Sequence, residues 1–351
     1  MDNVFDFRNR LINEYSSFSR SFSKVSAQDI LSKVEQEYDR GRYWPEPLIQ
    51  INPNYKRQST VQQLAQEGML HASCSHIFQT GKTEGKAADL HLYVHQLQAL
   101  AKAQKQQSYV VTTGTGSGKS LAFFVPIIDR ILKAKQADPQ KRTRAIVIYP
   151  MNALANSQLE ELDKFLHGYP DEQKPFTVAR YTGQESDADR KQIADNPPDI
   201  LLTNFMMLEL ILTRFEDVDR RVVEHCQGLE FLVLDELHTY RGRQGADVAL
   251  LVRRLRERLQ AHQLVCIGTS ATMSSTGTQA DRNQTVASVA SLLFGAQITE
   301  HDVIGETLER VTNPAKDIEA VKSLLKPALL KESYHWPDFA AFSDDPLAVW
   351  V

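Results

Sequence analysis

The sequence contains few cysteines and no long apolar run. Its 351 residues include only Cys74, Cys226 and Cys266, too few for a disulfide framework in a chain of this length. No run of 18 or more apolar residues is present that could span a membrane. The first 18 residues mix charged with apolar side chains, unlike a secretory signal. We therefore expect a cytoplasmic protein.

Positive charge is not in excess either. The formal net charge is -4, and 42% of the residues are hydrophobic, which is ordinary for a globular protein. This balance argues against a surface that coats nucleic acid along its whole extent, but it allows a local basic track. No internal repeat or low-complexity tract is evident.

The chain divides into three stretches by composition. Residues 1–88 are polar and compatible with helices, with prolines at Trp44-Pro-Glu-Pro47 and Asn52-Pro-Asn54 that force extended or turn backbone. We interpret them as a mostly helical accessory segment. Residues 89–275 alternate short β-branched runs with helical patterns, and residues 276–351 predict a helical end and a linker.

The alternation in residues 89–275 predicts an α/β domain with a mainly parallel sheet covered by helices on both faces. The predicted strands are 108–112, 144–149, 177–181, 200–203, 231–234 and 264–268. The predicted helices are 121–134, 153–166, 205–214 and 247–260, with a further one at 284–294.

A glycine-rich turn follows the first predicted strand. Thr113-Gly-Thr-Gly-Ser-Gly-Lys-Ser120 leads from that strand into a helix, the context of a phosphate-binding P-loop. Backbone N–H groups would hold phosphate oxygens, Lys119 would contact the β and γ phosphates, and Ser120 would bind Mg²⁺. Thr113 stands where the strict pattern has glycine. The residues expected to bind the cofactor ATP here are Thr115, Gly116, Ser117, Gly118, Lys119 and Ser120.

Two acids follow another apolar strand. In Phe231-Leu-Val-Leu-Asp-Glu-Leu-His238 four apolar residues precede Asp235 and Glu236. We expect Asp235 to hold Mg²⁺ and Glu236 to orient and deprotonate the attacking water. Seen alone, such a pair would more often cap a helix, but the upstream P-loop favours catalysis.

The Asp-Glu-Leu-His sequence resembles the DExH box of superfamily 2 helicases, whose first motor domain has a RecA-like fold. Other motifs of that domain are matched in order. These segments are Leu92-Tyr-Val-His-Gln96 (a Q motif), Tyr149-Pro-Met-Asn-Ala-Leu-Ala155 (motif Ia), Tyr181-Thr-Gly183 (motif Ib), Leu202-Thr-Asn-Phe-Met-Met-Leu208 and Thr269-Ser-Ala-Thr272 (motif III).

The resemblance implies further roles for matched residues. Gln96 would recognise the adenine edge, and His238 would bridge to Ser270 or Thr272 and couple hydrolysis to nucleic-acid contact. Nucleic acid would be held by its backbone, without reading of bases. The residues implied in that contact are Pro150, Asn152, Thr182, Gly183, Thr203 and Asn204.

A narrower resemblance covers Asp235-Glu-Leu-His-Thr-Tyr-Arg-Gly242 and Ala249-Leu-Leu-Val-Arg-Arg-Leu-Arg256. These segments are similar to bacterial DExH helicases related to the repair helicase MrfA, and to members of phage-defence systems of the DISARM and Druantia kind. The segment Trp44-Pro-Glu-Pro-Leu-Ile-Gln50 favours the defence-associated members. DNA is the more expected partner than RNA.

Two other patterns have simpler interpretations. The arginines Arg253, Arg254, Arg256 and Arg258 suggest a nucleic-acid track, but the leucines between them favour an amphipathic helix with a solvated face. His71-Ala-Ser-Cys-Ser-His76 offers three zinc ligands, yet no second ligand pair follows at the usual spacing. Cys226 and Cys266 have no nearby partner for nucleophilic catalysis, and we expect both to be buried.

The second motor domain of superfamily 2 is missing from the sequence. Its Q-x-x-G-R-x-x-R motif, which donates arginines to ATP, does not occur after Thr272. The chain is then a fragment of a longer helicase, a subunit completed by a partner, or a stand-alone module, and the apolar end at Trp350 favours the fragment. Hydrolysis by this chain alone would be slow. Two functions stay open: an ATP-driven DNA helicase or translocase, and an ATP-binding switch in a defence complex that does not unwind.

Overall fold

The computed structural model describes residues 4–22, 25–41, 54–114, 116–271, 278–330 and 335–350. Its internal contacts divide the chain into two compact units, Met1–Pro53 and Asn54–Val351. None of the helices in the described ranges combines the length and the apolar character needed to cross a lipid bilayer.

The first unit contains two amphipathic helices, α1 (Val4–Ser21) and α2 (Gln28–Asp39). Apolar side chains recur on α1 every three or four residues, as on one face of a helix. Five of these side chains, Val4, Phe7, Leu11, Tyr15 and Phe18, are exposed. Helices α1 and α2 agree with the helical character predicted for the start of the accessory segment, while Trp44–Gln50 lies outside the described residues.

The second unit begins with short elements that precede the main sheet. They are β1 (Arg57–Thr60), α3 (Val61–Gln66), α4 (Cys74–Ile77), β2 (Gln79–Thr80), β3 (Ala88–Asp89), β4 (His91–Tyr93) and α5 (Val94–Gln104). Strand β1 pairs antiparallel with β4, and β2 pairs with β3. Val61, Leu64 and Ile77 belong to the same core cluster as the main sheet. The compact unit therefore starts at Asn54, earlier than the division at residue 88 that the composition suggests.

Seven parallel strands of the described residues form the central sheet. They are β5 (Tyr109–Thr112), β6 (Ala145–Tyr149), β7 (Val178–Tyr181), β8 (Ile200–Asn204), β9 (Phe231–Leu234), β10 (Val265–Ser270) and β11 (Val303–Gly305). Their order is β11-β5-β10-β9-β6-β8-β7, and every pairing is parallel. The predicted α/β class is confirmed. Strand β11 is absent from the predicted strands, because three residues are too few to show a period.

Helices cover both faces of this sheet. They are α6 (Leu121–Ala137), α7 (Asn152–Leu166), α8 (Asp187–Asp195), α9 (Phe205–Thr213), α10 (Asp217–His225), α11 (Gly242–Arg258) and α12 (Gln279–Phe294), followed by α13 (Ile318–Leu329), α14 (Phe339–Ser343) and α15 (Pro346–Trp350). Neighbouring strand residues face opposite ways. Val147 accordingly packs in the cluster that includes α5, α6 and α7, and Ile146 packs in the cluster that includes α9 to α12.

A buried ionic cluster joins the amino-terminal ends of the strands. Arg144, fully buried, lies 3.5 Å from Glu230 and 4.0 Å from Asp199. The Asp199 carboxylate also accepts hydrogen bonds from Lys135 Nζ at 2.6 Å and from the main-chain N–H of Thr177 at 2.8 Å. Burial lowers the pKa of Arg144. Removal of one partner from such a cluster leaves buried charge without compensation.

Replacing Asp199 tests this cluster. Asp199→Ala should lower the free energy of unfolding by about 3 kcal/mol or more, because Arg144 and Lys135 lose their shared anion. Urea unfolding followed by circular dichroism measures the change. Asp171→Ala, at an exposed carboxylate on the same domain, is the control and should change little. Equal stability of the two variants would contradict the assignment.

Candidate functional site

The predicted P-loop lies between β5 and α6. Gly116 and Gly118 have φ of 78° and 69°, values that favour glycine. Lys119 Nζ lies 3.3 Å from the carbonyl oxygen of Thr113, so its ammonium group curls back over the loop. Ser120 stands at the N-cap position of α6, where N–H groups and the helix dipole favour an anion. Thr115 lies outside the described residues.

Gln96, on α5, forms a hydrogen bond with this loop. Its side-chain amide donates to the carbonyl oxygen of Gly118 at 2.9 Å, and its carbonyl accepts from the N–H of Tyr93 at 2.8 Å. The side chain is buried. A Cβ on Gly118 would lie 2.6 Å from the Gln96 amide nitrogen. The structure thus contains a contact between Gln96 and the P-loop itself. From the sequence, only a role at the adenine is predicted for Gln96.

His95 makes a second contact from the same helix turn. Its Nε2 lies 2.9 Å from the carbonyl oxygen of Ser117, and because a carbonyl only accepts, Nε2 carries the hydrogen. Burial lowers the pKa of His95, although the Ser117 carbonyl and Glu306 oppose the shift. The ring stacks on Tyr93, with centroids 5.6 Å apart. The Gln96 match drew attention to this turn, but no motif assigned His95 a role.

Glu306 holds the beginning of the loop from the end of β11. One of its carboxylate oxygens accepts a hydrogen bond from the Gly114 N–H at 2.8 Å. Main-chain bonds from Lys56 to Thr307 and from Glu309 to Asn54 fasten the same segment to the start of the second unit. Since Gly114 and Glu306 are 192 residues apart in the chain, only the fold brings them together.

The acid pair follows β9 directly beside β10. Leu234 is paired with Gly268, so Asp235, the residue after β9, lies beside Thr269 of β10. The Thr269 hydroxyl donates to Asp235 Oδ1 and accepts from the Glu236 N–H at 3.1 Å. Burial raises the pKa of Asp235, with Glu236 adding to the shift while Thr269 and Lys119 counter it. One hydroxyl thereby contacts both the carboxylate of Asp235 and the main chain of Glu236.

Glu236 has a strained main-chain conformation. Its φ of 53° is positive, a conformation that costs a non-glycine residue about 1–3 kcal/mol and occurs often at active sites. Its Oε1 lies 4.0 Å from Lys119 Nζ. Its Oε2 is buried without a hydrogen bond among the described residues. A buried oxygen of this kind needs a donor, and a water molecule beside a phosphate would supply one.

His238 connects the acid pair to β10. Its Nδ1 lies 3.2 Å from the Ser270 hydroxyl and 3.3 Å from Glu236 Oε2. The Ser270 hydroxyl donates to the carbonyl oxygen of Ala271 at 2.6 Å, so Nδ1 is the donor in the contact with Ser270. The structure thus contains the expected contact between His238 and Ser270. Thr272 lies outside the described residues.

The residues expected to contact nucleic acid gather where β6, β7 and β8 end. Asn204 Nδ2 donates to Asn152 Oδ1 at 2.7 Å and to the carbonyl oxygen of Thr182 at 3.1 Å. Pro150, between β6 and α7, is partly exposed. Thr203 departs from the expectation for its side chain: it is fully buried, and its hydroxyl donates to the carbonyl oxygen of Tyr181 at 2.6 Å. It sits within β8, where both faces of the sheet are covered.

Glu185 was missed by sequence reasoning. Its carboxylate accepts hydrogen bonds from the N–H groups of Thr182 at 2.7 Å and Gly183 at 2.9 Å. Both donors belong to the segment that resembles motif Ib. The only sequence signal is an acid two residues after a glycine, which is too common to single out.

Three arginines of α11 make contacts within the protein. Arg253 and Arg256 donate to carbonyl oxygens of Leu292 and Phe294 at 3.2 Å, at the end of α12. Arg254 pairs with Glu209. These contacts agree with the amphipathic interpretation.

The cysteines lie in the two cores. Cys74, Cys226 and Cys266 are buried, and burial raises the thiol pKa of Cys74 and Cys226 to about 12 and that of Cys266 to about 11. His71 accepts from the Ser73 N–H through Nδ1. Within the described ranges, no group of three metal-ligating side chains is arranged to hold an ion.

The sheet, the P-loop after β5 and the acid pair after β9 define a RecA-like P-loop domain. The family model for DEAD/DEAH box helicases matches residues 93–280, more than half of the chain. The chain therefore belongs to the DEAD/DEAH box helicase family, which confirms the resemblance drawn from its motifs.

Three relatives illustrate the similarity. The chain is 34% identical to the uncharacterized ATP-dependent helicase YprA of Bacillus subtilis, over 52% of this chain and 23% of the relative. It is 26% identical to the Druantia protein DruE of Escherichia coli, over 52% and 16%. A DNA-bound crystal structure of the DUF1998 helicase MrfA matches with a TM-score of 0.54 and 25% identity, over 73% of this chain and 29% of that chain. The chain thus spans about a quarter or less of these two curated relatives.

The contact of Gln96 with the P-loop can be tested with two glycines. Gly116→Ala and Gly118→Ala both place a side chain at positive φ, but only the second meets Gln96. Gly118→Ala should therefore be less stable than Gly116→Ala by about 1 kcal/mol, the value of the hydrogen bonds it displaces. Thermal unfolding of both variants measures the difference. Adding Gln96→Ala should remove it, and an unchanged difference in that background would refute the contact.

Proposed function

We propose that this chain is the ATP-binding first motor domain of a DNA helicase or translocase. The observation that carries the proposal is the buried Oε2 of Glu236, which accepts no hydrogen bond among the described residues and lies on the same carboxylate as the oxygen 4.0 Å from Lys119. A carboxylate held beside a P-loop lysine is placed to act on a water molecule at a terminal phosphate.

The P-loop and the acids fit a nucleoside triphosphate with Mg²⁺. Gly116 and Gly118 have positive φ, so the loop follows a path that favours glycine, and the Lys119 ammonium group lies over it. Ser120 and Asp235 are the oxygen ligands that would hold Mg²⁺, and the ion would supply charge neutralisation at the phosphate oxygens. Gly116, Ser117 and Gly118 would offer main-chain N–H groups to the phosphates.

Glu236 is the proposed general base. Its Oε2 would accept a proton from the attacking water, while the Thr269 hydroxyl fixes the backbone from which the carboxylate projects. His238 lies within 3.3 Å of the same oxygen and contacts Ser270. A change in the charge or position of Glu236 would therefore act, through His238, on Ser270 at the end of β10. This contact is a route for coupling hydrolysis to nucleic-acid contact.

The end of β6, β7 and β8 is the proposed nucleic-acid surface. Asn152, Thr182, Gly183 and Asn204 present small polar groups and main-chain atoms there, which suit contacts to phosphates more than to bases. Thr203 would contribute through its main chain, since its side chain is buried. The DNA in the MrfA structure supports DNA as the partner.

A second RecA-like domain, in the same longer protein or in a partner, would complete the site. Among the described residues, the basic side chains within 4.0 Å of the Glu236 carboxylate are those of Lys119 and His238, and neither is an arginine. Arginines supplied from outside a phosphoryl-transfer site raise rates by about 10³–10⁵. We therefore expect slow turnover by this chain alone. Similarity to a Druantia protein and to MrfA supports a role in phage defence or DNA repair.

Glu236→Gln tests the motor assignment. Single-turnover ATP hydrolysis should be faster with single-stranded DNA than without it in the wild-type chain. The variant should still bind Mg-ATP but hydrolyse it about 100-fold or more slowly, because the amide cannot accept the proton. Glu224→Gln, at an exposed acid, is the control. If DNA leaves the wild-type rate unchanged and Glu236→Gln equals its control, the chain is an ATP-binding switch rather than a motor.

A further inference from the structure

We infer that Glu185 occupies a phosphate site of the nucleic-acid surface and must leave it when a strand binds. The inference rests on the proposed function, because it takes the ends of β6, β7 and β8 as that surface. Its consequence is that Glu185 competes with the strand and so lowers the affinity for nucleic acid.

The main-chain N–H groups around Glu185 form an anion-binding turn. Thr182 N–H and Gly183 N–H point to one carboxylate oxygen, at 2.7 and 2.9 Å, and the Thr182 hydroxyl donates to the other at 3.1 Å. Gly183 has φ of 89°. Successive N–H groups that converge in this way form concavities that hold phosphates and other anions.

A cation completes the set of donors. Arg180 Nε donates to Glu185 Oε1 at 2.6 Å, and the Glu185 side chain is only 5% exposed. Burial tends to raise the pKa of Glu185, but hydrogen bonds from Thr182 and Arg180 outweigh it, so the pKa lies below its usual value. The occupant is therefore a carboxylate anion at neutral pH, held by the same kinds of donor that bind phosphate.

This anion lies among the residues proposed to hold DNA. The Thr182 carbonyl accepts from Asn204 Nδ2, and Asn204 also contacts Asn152. Arg180 reaches Asn156 on α7. A phosphate at these amides would meet the Glu185 carboxylate at contact distance, and like charges at that distance repel.

Glu185 can move without loss of the helix that follows. Helix α8 is capped by Ser186, whose hydroxyl accepts from the Asp189 N–H at 3.2 Å and donates to Asp189 Oδ2 at 2.7 Å. Glu185 takes no part in that cap, and Gly183 precedes it with the backbone freedom of glycine. Rotation of this short connection would free two N–H groups and Arg180 together.

Glu185→Gln is the direct test, because glutamine has the same shape and can still accept from the two N–H groups. Binding of fluorescein-labelled oligothymidine is measured by anisotropy over a range of salt concentrations. We expect about tenfold tighter binding than in the wild type, because a neutral amide is displaced from the two N–H groups and Arg180 at a lower cost than a carboxylate. The slope of log K against log salt should stay close to the wild-type value, because the strand contacts the same number of phosphates in both proteins once residue 185 has left the site.

Asp187→Asn is the matched control. It removes the same charge two residues away, from a side chain that is fully exposed, so it reports the general electrostatic effect. Arg180→Gln combined with Glu185→Gln should lose the gain. Binding by Glu185→Gln that is no tighter than by Asp187→Asn would overturn the inference while leaving the proposed function intact.

The remaining outcomes are also decisive. If wild type and all variants fail to bind oligothymidine, the proposed nucleic-acid function fails and this inference with it. If only Glu185→Gln binds, the inference is supported. Should Glu185→Gln not fold, Glu185→Ala, which leaves the two N–H groups to water, is measured instead. Failure of both to fold would show that Glu185 is a structural support and would overturn the inference.

Discussion

The parallel register of the central sheet is the constraint on which both candidate sites depend. Parallel strands place their carboxyl ends at one edge, where ligands of open α/β sheets bind. Leu234 pairs with Gly268 on one side and with Ile148 on the other, so the acid pair emerges between Thr269 and the end of β6. A shift of one residue would turn Asp235 toward a buried face and separate it from the Thr269 hydroxyl.

The carboxyl-end edge of the sheet carries both the candidate nucleotide residues and the candidate nucleic-acid residues. At this edge β5 is followed by the P-loop, β10 carries Thr269 and β9 is followed by the two acids. Asn152 follows β6, Asn204 is the last residue of β8, and Thr182 follows β7. The boundary runs between β9 and β6, where the Asp235 N–H donates to the carbonyl oxygen of Ile148 at 3.0 Å. The residues proposed for the nucleotide and those proposed for nucleic acid are thus joined by main-chain hydrogen bonds of one sheet. This arrangement suits a protein in which the two ligands influence each other.

Features with a local signal could be predicted from the sequence. The strand before Thr113 and the apolar run before Asp235 have short periodic patterns, and the predicted strand bounds agree with the structure to within about two residues. The helices are predicted less closely: α11 and α12 begin five residues before their predicted starts, and α8 and α10 are not predicted. Contacts between residues that are distant in the sequence have no local pattern that predicts them. Glu306 reaches Gly114 over 192 residues, and His95 reaches Ser117 through a helix packing that no local pattern specifies. Thr203 fits a motif, but its burial follows from two covered sheet faces rather than from its neighbours in sequence.

Binding of a triphosphate at the P-loop is the central claim, and titration calorimetry with Mg-ATP tests it most directly. We expect one binding site in the wild-type chain and loss of measurable binding in Lys119→Ala. The variant should unfold at the wild-type temperature, because Lys119 lies over the loop rather than in a core cluster. Unchanged affinity for Mg-ATP in Lys119→Ala, with the fold intact, would contradict the placement of the nucleotide.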